Sequence, residues 1–311
     1  MKFSGRRFAI GAGLVSVALG ALGLWLWTPD KNRAELEARY ANAPTDFVEA
    51  GGVRLHVRDS GAKDAPAVIL LHGFGASLHT WEPWAAPLAE HLRVIRYDLT
   101  GAGLTGPDPT GDYTDERAMQ LLIALMDRLG IARASIVGHS MGGRVAWRFA
   151  AEHPDRVDRL VLVAPDGFAS PGFEYDQKPD VPAAMQLMRY VMPKALLRMN
   201  LVPAYADPDK LSDDVVTRYH DLMLLPGVRA ALLERLGQVV KHDPVAKLAS
   251  ITAPTLLMWG EKDALIPVSN AADYQKVMKN AQLVIFPGVG HIPQEEAPEM
   301  SLGAVRTFLV P

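Results

Sequence analysis

Residues 134–152 read Ala134-Ser135-Ile136-Val137-Gly138-His139-Ser140-Met141-Gly142-Gly143-Arg144-Val145-Ala146-Trp147-Arg148-Phe149-Ala150-Ala151-Glu152. The opening residues form a short β-branched run, and the stretch Met141–Glu152 has helical spacing and stops before Pro154. Between them stands Gly138-His139-Ser140-Met141-Gly142. A G-x-S-x-G string arises by chance in roughly one chain in ten of this length. Its meaning here comes from its place between a strand and a helix, where a serine on a strained turn carries an exposed hydroxyl. Side chains at the flanking glycines would collide at such a turn. His139 should point away from Ser140 there, and reads as a packed neighbour.

Further short apolar runs lie on either side. Phe47–Ala50 and Val53–Arg58 flank Gly51-Gly52 and read as a hairpin. Ala67–Leu71, Arg93–Tyr97, Leu160–Val163, Thr255–Trp259 and Gln282–Phe286 are too short for buried helices and rich in Val, Ile and Leu. Apolar strands separated by helical stretches such as Tyr113–Leu129 indicate a parallel sheet covered on both faces. The expected fold class is α/β: a mostly parallel eight-stranded sheet with helices on both faces. One interval breaks the alternation. About ninety residues between Ala164 and Thr255 carry no strand signal but have helical runs at Val181–Met192, Ser212–Leu225 and Val228–Val240. They define a helical lid, residues 168–243, inserted after the sixth strand, with the core formed by 47–167 and 244–311.

A serine hydroxyl needs a positioned base. His291, in Gly288-Val289-Gly290-His291, follows the last strand, and Asp263, in Gly260-Glu261-Lys262-Asp263, follows the one before. Loops at the carboxyl ends of parallel strands converge on one crevice. Ser140, Asp263 and His291 therefore form a candidate nucleophile, acid and base. Asp166, after the sixth strand, is the rival acid; otherwise it is a turn residue between Pro165 and Gly167. The developing oxyanion needs donors. The backbone N–H of Met141 supplies one, and that of Phe74, in His72-Gly73-Phe74-Gly75, supplies the other, with Gly75 as the alternative. His72 and Asp98 read as loop organisers, and Glu295 and Glu296 as carboxylates favouring a helix N-terminus. Met185, Met188 and Met192 share one lid face, suited to lid core or to an adaptable pocket. Together with Leu187, Leu196, Met199, Met223 and Leu224 they suggest an apolar lining above Ser140.

Composition narrows the alternatives. A formal charge of −3 leaves no basic surplus for nucleic acid. The absence of Cys excludes disulfides and thiolate chemistry. No metal or organic cofactor is implied. At the N-terminus, Lys2, Arg6 and Arg7 precede an uncharged run from Phe8 to Trp27, about twenty residues and enough to span a bilayer. Residues 1–28 are expected to be a signal-anchor that leaves the catalytic domain on the periplasmic side of a bacterial inner membrane. Cleavage to an exported soluble form is the alternative. Residues 29–46 then read as a linker, its helix opening at Thr28-Pro29 and acting as a spacer.

From about Phe47 to Pro311 the chain resembles the α/β-hydrolase superfamily, in the lidded branch. The resemblance rests on His72–Gly75, Asp98–Gly103, Gly138–Gly143, Gly260–Asp263 and Gly290-His291. It implies a serine esterase or lipase acting on small-molecule esters of short to medium acyl chains. Carbon–carbon bond hydrolases of vinylogous diketones are also similar, though they carry Asn where His139 stands. A non-catalytic ligand-binding protein of the same fold is the reading from another class; such proteins usually lose a triad member.

Overall fold

The computed structural model describes residues 26–169 and 174–310. Eight strands form one sheet: β1 Phe47–Ala50, β2 Val53–Ser60, β3 Ala67–Leu71, β4 Arg93–Tyr97, β5 Ala134–His139, β6 Val157–Val163, β7 Thr255–Gly260 and β8 Ala281–Phe286. Their spatial order is β1-β2-β4-β3-β5-β6-β7-β8. β1 and β2 make the antiparallel hairpin, β2 also runs antiparallel to β4, and every later pairing is parallel. This is the α/β architecture expected from the strand pattern.

Alternation along β3 explains why both faces must be covered. Val68 and Leu70 enter one core with Trp81, Trp84, Val305 and Leu309. Ile69 and Leu71 enter the other with Leu122, Leu125, Val145 and Phe149. Helices Glu82–Ala89 and Pro298–Leu309 therefore cover the first face, and Asp115–Arg128 and Met141–Glu152 the second. β5 lies mid-sheet between β3 and β6, so its carboxyl end opens at the centre of the crevice.

Between β6 and β7 the described chain has no strand, in line with the lid. The helices differ in detail. Val181–Met192 is not a regular helix; only a 3-10 segment forms over Ala183–Arg189. Pro182 and Pro193 bracket that segment and limit helical hydrogen bonding. Helix Lys194–Leu201 follows, which the pattern did not single out, and then Asp213–Met223 and Val228–Gln238.

The linker departs from expectation. Its helix spans Arg33–Tyr40, and its N-cap is Asn32, whose side chain accepts from Ala34 N–H at 2.8 Å, not Thr28. Thr28 is used elsewhere: its N–H donates to Tyr190 O at 2.9 Å, and its hydroxyl accepts from Met192 N–H at 3.1 Å. Nor does the helix act only as a spacer. Leu36 is buried with Leu222, Leu225, Val228 and Leu232 of the lid. Asp221 accepts from Lys31 Nζ at 2.6 Å, Arg39 Nη1 at 2.9 Å and Tyr40 Oη at 2.7 Å. The expected membrane segment falls almost wholly on residues 1–25, outside the described residues. Among the described residues no helix is long and apolar enough to cross a membrane.

Candidate active site

Ser140 caps helix Met141–Glu152 with φ 53° and ψ −118°, a positive-φ conformation rare for a residue with a side chain. The turn is pinned by three backbone bonds. Ser140 N–H donates to Val163 O at 3.0 Å, and its carbonyl accepts from Arg144 N–H at 3.1 Å and Asp166 N–H at 3.0 Å. Strain of this kind persists only where the surroundings over-determine it. The glycines explain how the helix comes so close. A Cβ on Gly138 would lie 2.4 Å from Gly142 O, and one on Gly142 would lie 2.4 Å from Leu71 O.

The loops after β7 and β8 bring the other two candidates together. His291 Nδ1 lies 2.8 Å from Asp263 Oδ2, and both side chains are buried. Asp263 Oδ1 accepts from the N–H groups of Leu265 and Ile266, each at 2.9 Å. The carboxylate is thereby fixed and acts as acceptor to the ring, so Nδ1 carries the proton and Nε2 is left as the basic nitrogen. Asp166 is spent differently. Its carboxylate pairs with Arg144 through Oδ2 and accepts from Lys241 Nζ at 2.8 Å through Oδ1.

His139 lies closer to the chemistry than the turn suggests. Its ring is 4.7 Å from that of His291, and its Nε2 donates to His291 O at 2.9 Å. Burial, reinforced by the neighbouring His291, holds its pKa well below the ordinary imidazole value. It is therefore a neutral support for the His291 backbone. The His291 N–H donates to Ala204 O at 2.8 Å, tying the loop to the lid. Glu296 holds the same loop: it accepts from Gly290 N–H at 2.6 Å and from the lid's Asp207 N–H at 2.9 Å. Glu295 binds Arg218 at 2.8 Å and Tyr205 Oη at 2.6 Å. The two carboxylates thus clamp lid to core, a use that a helix N-terminus alone does not suggest.

His72 and Asp98 organise loops as expected. His72 Nδ1 donates to Gly73 O at 2.8 Å and its Nε2 accepts from Leu99 N–H at 2.9 Å. Asp98 accepts from the N–H groups of Leu78 and Leu104, each at 2.7 Å, and contacts His56 Nδ1 at 2.7 Å. These bonds fix the segment that carries Phe74. Phe74 and Met141 both line the cavity that Ser140 faces. Met141 opens its helix, where first-turn N–H groups have no intrahelical acceptor.

That cavity has a volume of about 490 Å³. Its apolar wall comes from Phe74, Leu236, Val239, Leu265 and Ile266, not from the lid residues the sequence suggested. Met192 and Leu224 are buried, Met188 packs near Leu36, and Met223 borders a smaller neighbouring recess. Met185, Leu187, Leu196 and Met199 are exposed on the lid surface. The polar wall holds Arg144, Arg235 and Lys241, which sequence reading missed, beside Asp166. The wall's sequence signal is Arg144, one helical turn beyond Ser140 and the one charged residue of 141–147.

The sequence pattern of the alpha/beta hydrolase fold matches residues 66–298. An uncharacterized protein of Mycobacterium tuberculosis is 33% identical over 276 residues, covering 85% of this chain and 80% of its own. A 2-hydroxy-6-oxononadienedioate/2-hydroxy-6-oxononatrienedioate hydrolase of Cupriavidus pinatubonensis is 33% identical over 268 residues, covering 82% of this chain and 90% of its own. Among solved structures, a hydrolase from Pseudomonas aeruginosa superposes with a TM-score of 0.74 at 28% identity, covering 88% of this chain and 100% of that one.

Proposed function

We propose that this chain, which belongs to the alpha/beta hydrolase fold family and is a hydrolase, cleaves carboxylic esters through an acyl-enzyme on Ser140. The observation that carries this reading is the fixed pair of His291 Nδ1 and Asp263 Oδ2 at 2.8 Å, in the crevice where strained Ser140 stands. Ser140 Oγ attacks the ester carbonyl while His291 Nε2 takes its proton. Asp263 holds the ring in that tautomer and stabilises the imidazolium. The N–H groups of Phe74 and Met141 receive the oxyanion. The intermediate collapses as His291 passes its proton to the departing alkoxide. Water repeats the sequence on the acyl-enzyme and frees the acid.

A cavity of about 490 Å³ supports substrates of short to medium acyl length. Each buried methylene contributes about 0.8 kcal/mol. A ladder of p-nitrophenyl esters should therefore rise in kcat/KM by up to a few-fold per carbon, then peak at roughly four to eight acyl carbons. Rates still rising at about sixteen carbons on emulsified ester would identify a lipase instead. A second reading, carbon–carbon cleavage of a vinylogous diketone, is favoured by the 33% identity to the oxononadienedioate hydrolase. Near-zero ester turnover with rapid cleavage of a dienoate diketone would select it.

We also propose that the apolar run Phe8–Trp27 anchors the catalytic domain on the periplasmic face of a bacterial inner membrane. Trp27, at its end, stacks on Tyr190 with ring centroids 5.6 Å apart. In the lid, Leu187 and Met199 are 62% and 68% exposed, apolar side chains suited to a lipid boundary. Detergent-dependent release from the inner-membrane pellet is expected. A soluble form beginning after residue 27 would contradict the anchor.

A further inference from the structure

The cavity beside Ser140 is apolar over most of its wall and cationic over the rest. Arg144, Arg235 and Lys241 line it together with a single carboxylate, Asp166. Two of the three cations are compensated. Arg144 donates through Nε and Nη2 to Asp115 at 2.8 and 3.1 Å and pairs with Asp166 through Nη1. Lys241 also binds Asp166. Asp115 is itself shared with Arg148 at 3.2 Å, so it does not neutralise Arg144 alone.

Arg235 differs from both. It is 3% exposed, and its partners among the described residues are two backbone carbonyls, Tyr113 O at 3.1 Å and Thr100 O at 2.7 Å, and the face of the Tyr113 ring, whose centroid lies 5.5 Å from Cζ. It forms no ion pair with a carboxylate among those residues. A buried guanidinium without a counterion is costly, because its desolvation is unmatched. Burial accordingly pushes its pKa down to about 10, while Asp115 partly opposes the shift. At neutral pH it remains charged and is held in place by its carbonyl bonds, in a residue that lines the cavity beside Ser140.

We propose that this wall is an anion subsite, and that the substrate is an ester whose acyl part carries a second carboxylate. This deepens the ester reading and rests on it. The cavity serves the acyl side because the departing alkoxide must meet the His291 proton, and His291 is not in the cavity wall. Arg144 stands four residues along the helix from Ser140, a rise of about 6 Å, so the cationic wall begins a short chain from the scissile carbonyl. The apolar residues Leu236, Val239 and Ile266 cover the methylenes between. The substrate carboxylate supplies the missing counterion, and the site is already organised to receive it.

The test compares the p-nitrophenyl monoester of glutarate with p-nitrophenyl valerate, its uncharged counterpart of equal acyl length. The full-length enzyme should prefer the glutarate ester by about tenfold or more in kcat/KM, the scale of a charge-assisted contact. Arg235→Met should reduce that ratio to near one, and Arg235→Lys should keep part of it. Because Arg235 also holds two carbonyls, the wild type carries an independent readout. Glutarate should slow fluorophosphonate labelling of Ser140, and neutral glutaramide should not. Valerate turnover with a ratio at or below one would overturn the subsite and leave the esterase standing. No turnover of either ester, with glutarate still protecting Ser140, would overturn the esterase and keep the subsite. No turnover and no protection would contradict both.

Discussion

Asp263 Oδ2 and His291 Nδ1 meet at 2.8 Å, and neither partner is free to turn. The second oxygen of Asp263 is bound by two backbone N–H groups, and the His291 backbone is bound on both sides, by Ala204 and by His139. Asp166 is instead engaged by Arg144 and Lys241. Asp263→Asn is therefore expected to lower kcat by roughly 10³- to 10⁴-fold while the fold persists, since an amide N–H can face the ring and favour the wrong tautomer. Asp166→Asn should alter KM more than kcat, because it changes the charge of the cavity wall. Steady-state kinetics of the two variants decides the matter. Greater damage to kcat from Asp166→Asn would reverse the assignment.

The lid is held from two directions. The helix Arg33–Tyr40 and Lys31 just before it grip the lid through Asp221, whose side chain is 2% exposed and serves Lys31, Arg39 and Tyr40 at once. Asp221→Ala leaves these donors without their shared acceptor. Lys31 and Arg39 are partly solvated, so the expected loss is about 1–3 kcal/mol and not that of a fully buried pair. Thermal or urea unfolding measures it. A variant unfolding at the wild-type midpoint would mean the helix merely rests on the lid.

Three buried histidines set an acid limit. Burial holds His72, His79 and His139 below the ordinary value of 6.5, His79 at about 4. Between the folded and unfolded pKa values the unfolded chain binds more protons, so stability there rises with pH. Their contribution is complete above about pH 6.5 and declines as the pH falls toward 4. Urea midpoints measured from pH 7.5 to 4.5 should drop across that window, and His79→Gln should flatten part of the slope. A midpoint constant or rising on acidification would contradict this account.

How much of this could be read from the chain varies with the kind of interaction involved. The strands were legible because β3, β5 and β7 are short apolar runs whose burial on two faces leaves a compositional mark, as in Ala67–Leu71. The pairing of Asp263 with His291 was legible because each follows a strand whose carboxyl end opens on one crevice, as the candidate Ser140 does after β5. The lid was legible as a strand-free interval, but its contacts were not. Arg235 lies in a helix whose arginines look like solvent-facing side chains. Only the carbonyls of Thr100 and Tyr113, more than a hundred residues away, make it a buried cation. The docking of Leu36 and Asp221 was hidden for the same reason: no local periodicity records a partner so distant in sequence.

The claim on which the rest depends is that Ser140 is an activated nucleophile. A fluorophosphonate bearing a reporter tests it directly, because such probes phosphonylate a serine hydroxyl only where a neighbouring base removes its proton. The wild-type protein should label once per chain, with the adduct on the peptide containing Ser140. Ser140→Ala should not label, and His291→Ala should label slowly or not at all. Labelling of Ser140→Ala at the wild-type rate, or an adduct on another residue, would contradict the account.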